Sequence, residues 1–369
     1  MKKITNYLVI VFLFGFMTIS AQTINPADVK KDMKRVADWQ IEHYRDIYNG
    51  KAPHHPLAWT NGALYVGMVK WAMMAEDNRY WEWMKNIGEE NDWKLHKRTY
   101  HADDHTVGQM YVELYRKYGD EKMINPTVER FEYILYHPAN GVLNWRTKYN
   151  QDRWSWCDAL FMSPPVWAKL YRETGDQRYL DFMLKEYKAT TNFLFDKKEN
   201  LYYRDESYMG KLENGAKIFW GRGNGWVFAG LPIIMDELDP NSKEYKYFLK
   251  IYRKMAKQLL ELQTPEGHWS MSLLQQEFYP TPETSGSSFF VYGLAWGINN
   301  GILDKATYES AALKGWKAMA SHVNEDGMLG YVQPIGAAPG QALPDKTEVY
   351  GTGAFLSAGS EIYKMVGGK

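Results

Sequence analysis

Apolar residues recur along the chain at intervals of three and four, which is the periodicity of an amphipathic helix. The first such stretch, residues 27–48, places Val29, Met33 and Val36 on one face. Strand-like alternation is rare. The predicted helices cover residues 27–48, 59–74, 79–90, 103–118, 128–136, 156–173, 179–195, 222–238, 245–263, 285–299, 308–323 and 351–365. The pattern therefore predicts an all-α protein with twelve helices.

These helices alternate between two kinds and form six similar pairs. One member of each pair is long, charged and amphipathic, which is typical of an outer helix. The other is richer in Gly, Ala and Ser, is apolar on all sides and follows a longer loop, as expected of an inner helix. A helical hairpin buries little alone, but stacked hairpins enclose a continuous core. Six of them closed into a ring predict a six-hairpin (α/α)6 barrel; an open solenoid is the alternative.

The composition agrees with one large domain. The 369 residues are 45% hydrophobic, and no charge block or low-complexity tract marks a second domain. The formal net charge is zero, which argues against nucleic acid or an anionic membrane surface as a partner. Aromatic residues make up 15%, including 15 Trp and 27 Tyr, and flat indole faces suit sugar rings. The oligomeric state is left open.

The N-terminus has the pattern of a signal peptide. Lys2 and Lys3 precede an apolar run over residues 7–16, and Ala21 offers a small residue before a cleavage point. The run is too short to span a membrane, and no later segment is long and apolar enough. We therefore expect residues 1–21 to be removed and residues 22–369 to act outside the cytoplasm, in the periplasm or secreted, without a membrane anchor. The single cysteine, Cys157, excludes an intramolecular disulfide.

The strongest candidate for chemistry is Asp158. Trp154 and Trp156 precede it at a predicted helix start, and an acid held among indoles has its charged form desolvated. The alternative is that Asp158 is an N-cap beside core tryptophans. If the inner helices run in the same direction, their N-termini share one rim, and six such termini favour an anionic ligand. An acidic sugar fits this rim better than a neutral one.

Other unusual polar and aromatic residues fall at the same place in the repeat. They include Trp59, Asp103, Asp104, Trp220, Arg222 and Trp226. Each has a structural alternative: the aspartates as a helix cap with a solvated neighbour, and Arg222 in an internal ion pair. The histidines lack the short spacings of a zinc site, so we expect no metal.

Two motifs carry a resemblance to a known family. They are Trp156-Cys157-Asp158, with Leu160 to Pro165 after it, and Phe219 to Trp226 with the sequence FWGRGNGW. Asp104 followed by Gly108, and the ending from Tyr350 to Ser360, fit as well. Over nearly the whole mature chain, the sequence resembles glycoside hydrolase family 105, the unsaturated rhamnogalacturonyl hydrolases, which are related to the unsaturated glucuronyl hydrolases of family 88.

The resemblance implies a substrate with a 4,5-unsaturated uronic acid at its non-reducing end, as left by a polysaccharide lyase. Such enzymes hydrate the C4=C5 double bond, and no metal or organic cofactor is needed. Asp158 would donate the proton and Asp104, or its neighbour Asp103, would be the second carboxylate. Trp156, Trp220, Trp226 and Trp59 would wall the sugar together with Met162, and Arg222 would hold a polar group.

The sequence departs from the family pattern at one position. Many relatives carry a histidine after Leu-Tyr-Tyr, whereas Leu201, Tyr202 and Tyr203 are followed here by Arg204. An arginine there can bind the uronate carboxylate or a sulfate with two hydrogen bonds. The aglycone and the parent polymer, whether rhamnogalacturonan, an ulvan-like sulfated polymer or another, therefore stay open. Two further alternatives are an inverting glycosidase on a saturated acidic glycan and a non-catalytic carbohydrate-binding protein.

Overall fold

The computed structural model describes residues 24–145 and 151–368. This part of the chain contains the helices α1 Pro26–Glu42, α2 Trp59–Met74, α3 Arg79–Glu90, α4 Gly108–Tyr118, α5 Asn125–Tyr136, α6 Ala159–Met162, α7 Pro164–Thr174, α8 Gln177–Leu194, α9 Gly221–Met235, α10 Lys243–Glu261, α11 Thr284–Asn299, α12 Lys305–Ala320 and α13 Val349–Met365. Two short antiparallel pairs join β1 Phe195–Asp196 to β2 Leu201–Tyr202 and β3 Leu212–Glu213 to β4 Ala216–Lys217. The predicted signal peptide lies outside the described residues.

Each of the twelve predicted helices is found, with shifted ends and two divisions. The first helix ends at Glu42 rather than at residue 48, and the stretch predicted over residues 103–118 is a short 3-10 helix, Ala102–His105, followed by α4. The stretch predicted over residues 156–173 forms α6 and α7, which meet at Ser163 and Pro164. A proline has no N–H to donate and disfavours the helical conformation in the residue before it. Ser163 accordingly departs from ideal helix geometry, with φ −103° and ψ −50°, and Pro164 occupies the first turn of α7.

Closure of the ring is confirmed by contacts between the first and last inner helices. α2, α4, α7, α9, α11 and α13 pack each against the next, and α13 packs back against α2. Gly67 of α2 and Gly353 of α13 make this last contact backbone to backbone, because a Cβ on Gly67 would lie 2.1 Å from the Gly353 carbonyl oxygen. The fold is a single-domain (α/α)6 barrel.

The inner and outer helices differ in burial as the sequence predicts. All fifteen residues of α9 are buried, as are all but one of the sixteen residues of α11. The outer helix α10 buries only one face, which includes Phe248, Tyr252, Met255 and Leu259. The inner helices therefore supply the barrel wall and the centre of the core.

The two ends of the barrel carry different chemistry. At the C-terminal ends of the inner helices, Lys169 pairs with Glu113 and, at 3.0 Å, with Glu237, while Arg116 lies 2.8 Å from Glu237. These residues line a cavity of about 690 Å³. Aromatic and acidic side chains gather at the N-terminal ends. Within residues 24–145 and 151–368, no helix has both the length and the apolar character needed to cross a membrane.

Candidate active site

Asp158 stands immediately before α6 and keeps its carboxylate free of helix capping. The residue has helical backbone angles, φ −60° and ψ −31°, and its side chain accepts no capping hydrogen bond from the described chain. The simple N-cap alternative for this aspartate is therefore wrong. The residue is 8% exposed. Burial raises the pKa of Asp158, and the positive charges of Arg204 and Arg222 offset part of that rise.

Arg204 lies directly against Asp158. Its Nε is 3.7 Å from Oδ2 of the aspartate, and its Nη1 donates to Asp205 at 2.7 Å. The guanidinium plane covers the ring of Trp145 with 3.9 Å between the guanidinium carbon and the ring centroid. Its backbone carbonyl accepts from the N–H of Cys157 at 2.8 Å, which joins the loop after β2 to the Asp158 segment. Nε is buried and donates to no acceptor within hydrogen-bond distance among the described residues.

Asp103 is the second carboxyl group of this cluster. It lies in a short 3-10 helix, Ala102–His105, whose first N–H groups are capped by the His101 ring. Burial raises the pKa of Asp103 to about 7, with the negative charge of Asp158 adding to the rise and Arg98 and Arg204 opposing it. Its side chain retains 19% exposure. Asp103 therefore lies within range of the charge of Asp158.

Asp104 points elsewhere. Its Oδ1 accepts from Nη2 of Arg98 at 2.6 Å, and its Oδ2 accepts from the Arg98 backbone N–H at 2.7 Å. Burial acts to raise the pKa of Asp104, but the hydrogen bonds and charge of Arg98 outweigh it, so the pKa is lowered. Asp104 is 1% exposed. A carboxylate held in this way is a structural anion that orders the loop between α3 and α4.

Arg222 and Trp220 occupy the start of α9. Gly221 and Gly223 allow this turn to pack closely, since a Cβ on Gly221 would lie 2.6 Å from the Ser270 carbonyl oxygen and one on Gly223 3.2 Å from the Cys157 sulfur. Arg222 donates to the backbone carbonyls of Gln333 and Pro334 at 2.8 and 2.9 Å. Its nearest carboxylate oxygen, on Glu283, is 4.0 Å away. Arg222 is therefore held mainly by backbone carbonyls.

Three of the predicted tryptophans belong to two aromatic groups near this cluster, one with Trp59 and Trp226 and one with Trp156. The Trp59 ring stacks on Tyr350, with centroids 5.2 Å apart, and meets Trp226 edge to face at 5.9 Å. Trp156 meets the rings of Trp145 and His101 at 5.1 and 4.8 Å. Trp226 is fully buried, whereas Trp59 is partly exposed. Trp59 therefore exposes part of its indole at the end of the barrel where the inner helices begin, and the buried Trp226 packs against it.

Met162 lies deeper than the sequence predicts. Its sulfur accepts from the Thr106 hydroxyl at 3.2 Å, and the side chain is 1% exposed. It packs α6 against residues 103–106 and does not line the open end of the barrel.

The sequence reasoning missed Trp145 and Gln333. Trp145 stacks on Arg204, and Gln333 hydrogen-bonds to Trp220 and Arg222. Both lie in long loops that no periodic pattern or motif singles out. The position of Trp145 beside an arginine exists only in the folded chain.

The arrangement combines two carboxyl groups of raised pKa with two arginines and an aromatic wall. A carboxyl of raised pKa stays protonated at higher pH and can donate a proton, while a nearby arginine stabilises the anion formed. The arginines also suit an anionic substrate group. The site is therefore equipped for proton transfer to an acidic sugar.

Comparison with known proteins gives consistent matches. The model of Glycosyl Hydrolase Family 88 matches residues 32–366. A protein of Alteromonas sp. (strain LOR) named unsaturated 3S-rhamnoglycuronyl hydrolase is 36% identical over 351 residues, covering 90% of this chain and 85% of the relative. A protein of the same name from Formosa agariphila is 37% identical over 355 residues, covering 93% and 92%. A solved family 88 glycosyl hydrolase from Bacteroides vulgatus is 29% identical, with a TM-score of 0.82 and coverage of 93% and 100%.

Proposed function

Because the chain belongs to Glycosyl Hydrolase Family 88, we propose that it removes a terminal 4,5-unsaturated uronic acid from oligosaccharides left by a polysaccharide lyase. The resemblance inferred from the Asp158 and Arg222 motifs is confirmed by the family match and the two relatives. The protein is a glycoside hydrolase whose relatives at 36% and 37% identity are unsaturated uronyl hydrolases by name.

The proposed reaction is hydration of the C4=C5 bond. Asp158 donates its proton to C4, and a water adds its oxygen to C5 while its proton passes to the carboxylate that Asp158 has become. The product at C5 is a hemiketal, which opens and releases the neighbouring sugar. Asp158 thereby receives from the water a proton that replaces the one it gave to C4, and it is protonated again.

The observation that carries this proposal is the buried carboxyl group of Asp158 immediately before α6, with Nε of Arg204 3.7 Å from its Oδ2. Burial raises the pKa of both carboxyl groups, and Asp103 reaches about 7. We propose Asp103, rather than Asp104, as the second carboxyl of the site, because Asp104 is occupied by Arg98. Asp103 would orient the water or a ring hydroxyl at the reacting carbon.

We assign the uronate carboxylate to Arg204. The guanidinium is fixed by Trp145 and Asp205, and the side chain keeps 10% of its surface exposed. An arginine held rigid in this way binds a carboxylate at a small cost in side-chain entropy. Trp59 and Trp156 would bound the sugar faces.

For the neighbouring sugar we propose rhamnose, the sugar in the names of both relatives. We also propose that this rhamnose carries a sulfate group. We further propose that the protein acts after export, since lyase products form where the polysaccharide is degraded and the N-terminus has the pattern of a cleaved signal.

The test is an absorbance assay on unsaturated disaccharides. Hydration removes the conjugated C4=C5 bond, so the near-ultraviolet absorbance should fall with purified protein and stay constant with Asp158→Asn. Asp345→Asn is a matched control, because that side chain is 72% exposed. Disaccharides with plain rhamnose, sulfated rhamnose and other aglycones separate the substrate classes.

Two results would contradict the proposal. Cleavage of a saturated acidic disaccharide at a comparable rate would favour an inverting glycosidase. Binding of the unsaturated disaccharides without any absorbance loss would favour a non-catalytic carbohydrate-binding protein.

A further inference from the structure

Gln333 is connected to more of the site than any sequence motif suggests. It lies in the loop between α12 and α13 and is 4% exposed. Its side-chain oxygen accepts from Nε1 of Trp220 at 3.0 Å and from Nη1 of Arg222 at 3.4 Å, and its amide nitrogen donates to the Ala338 carbonyl at 2.8 Å. One side chain thus joins the start of α9 to this loop.

The backbone of Gln333 also hydrogen-bonds to residues around the site. Its carbonyl accepts from Nη1 of Arg222 at 2.8 Å and from the Tyr350 hydroxyl at 2.6 Å, and its N–H donates to Glu283 at 3.1 Å. Glu283 in turn accepts the Gly286 N–H at the start of α11, at 2.7 Å. Gln333 therefore links the N-termini of α9, α11 and α13.

This network takes up most of the donors of Arg222, whose side chain is fully buried. A guanidinium has five N–H groups. Gln333 takes two at its carbonyl and side-chain oxygens, and the Pro334 carbonyl takes a third, which leaves two. Nε is one of these, since it is buried and donates to nothing in the described parts of the chain. Trp220 and Tyr350 flank the guanidinium at 4.6 and 4.9 Å.

We propose that Gln333 is a positioning residue for the substrate site, acting through Arg222 and Trp220. Its side-chain oxygen accepts from the Trp220 indole N–H and from one N–H of Arg222, so both buried side chains keep one orientation behind the wall of the site. This inference rests on the proposed function, because it assigns that wall to the unsaturated uronyl sugar. Substrate affinity, rather than the proton-transfer step at Asp158, should depend on Gln333.

Gln333→Met tests this with little change in side-chain volume. The variant loses the acceptor for Trp220 and Arg222 but keeps the backbone bonds. Because Trp220 and Arg222 then lose the acceptor that fixes them, KM for the unsaturated disaccharide should rise about tenfold, while kcat changes less than about threefold. Gln333→Glu keeps an acceptor oxygen and should restore most of the affinity.

A double-mutant cycle separates positioning from a general structural effect. Trp220→Phe removes the indole donor, so adding Gln333→Met to Trp220→Phe should raise KM by a smaller factor than it does in the wild-type protein. Gln177→Met, on the exposed start of α8, is the matched control and should leave KM unchanged. Thermal unfolding of each variant reports any loss of folded protein separately from KM.

Unchanged KM in Gln333→Met, or a KM effect that is fully additive with Trp220→Phe, would overturn the proposal. To keep this outcome distinct from failure of the proposed function, affinity is also measured by calorimetry with the unsaturated disaccharide in the Asp158→Asn background. Loss of affinity there on adding Gln333→Met supports positioning even without turnover. If the wild-type protein binds the disaccharide without any loss of absorbance, the proposed reaction is contradicted but the positioning role of Gln333 is not.

Discussion

Replacing Arg204 with methionine should shift the pH dependence of kcat/KM, because this arginine lowers the pKa of both site carboxyl groups. Its positive charge opposes the effect of burial on Asp158 and on Asp103. In Arg204→Met both carboxyl groups should stay protonated to higher pH. The alkaline limb of the kcat/KM profile, which reports the free enzyme, should therefore move upward.

The magnitude follows from the distance. At the 3.7 Å that separates Nε of Arg204 from Oδ2 of Asp158, Coulomb's law gives about 1.1 kcal/mol at the permittivity of water and about 4.5 kcal/mol at an effective permittivity of about 20. Both side chains are about one-tenth exposed, so the interaction is only partly screened by water. Since 1.36 kcal/mol corresponds to one pH unit, the limb should move by at least about 0.8 unit.

The assay is the initial rate of absorbance loss at low substrate concentration across the pH range. Arg178→Met is the matched control, because it removes an arginine whose side chain is 50% exposed on an outer helix. Its profile should superimpose on that of the wild-type protein. A weaker Arg204→Met enzyme whose profile keeps the wild-type shape would refute the electrostatic role and leave Arg204 as a binding residue only.

Two further pairs of variants test the assignment of the carboxyl groups and the closure of the ring. Asp103→Asn should lower kcat by about 10²–10⁴, the usual contribution of an acid–base group, whereas Asp104→Asn should chiefly lower stability, by about 1–3 kcal/mol, because it weakens the hydrogen bonds that the half-exposed Arg98 donates to this buried side chain. Gly67→Ala should lower the free energy of unfolding by about 2 kcal/mol or more, as overpacking of a rigid contact does, whereas Gly50→Ala should have little effect, since its nearest neighbour would lie 3.7 Å away.

The pH dependence of stability gives a second test of Asp103. A carboxyl whose pKa is raised by folding contributes stability that is present below its unfolded pKa, near 3.9, and is lost as the pH rises through the folded value. For Asp103 that value is about 7. Asp103→Asn should therefore gain stability relative to the wild-type protein between about pH 4 and pH 7, in denaturant melts at each pH. A constant difference would contradict the raised pKa, and full activity of Asp103→Asn would remove this residue from the mechanism.

How much of the site could be predicted depends on whether a residue has a local signature. Asp158, Trp220 and Arg222 lie in motifs at helix starts, so the sequence points to them directly. Asp103 and Asp104 are adjacent and both acidic, and only the position of Arg98 distinguishes them. No local signature marks Gln333, whose partners Trp220 and Arg222 are more than a hundred residues away in the chain.

The sequence by itself determined the twelve helices, their alternation between inner and outer and the number of hairpins, because hydrophobic periodicity and small residues act within each segment. The tertiary structure decided which charges meet. Burial of Asp158 and its contact with Arg204 arise from loops converging on one rim, whereas Asp104 pairs with Arg98 inside a single folded loop. Ionisation depends on distance and desolvation, and both are set only when the ring closes.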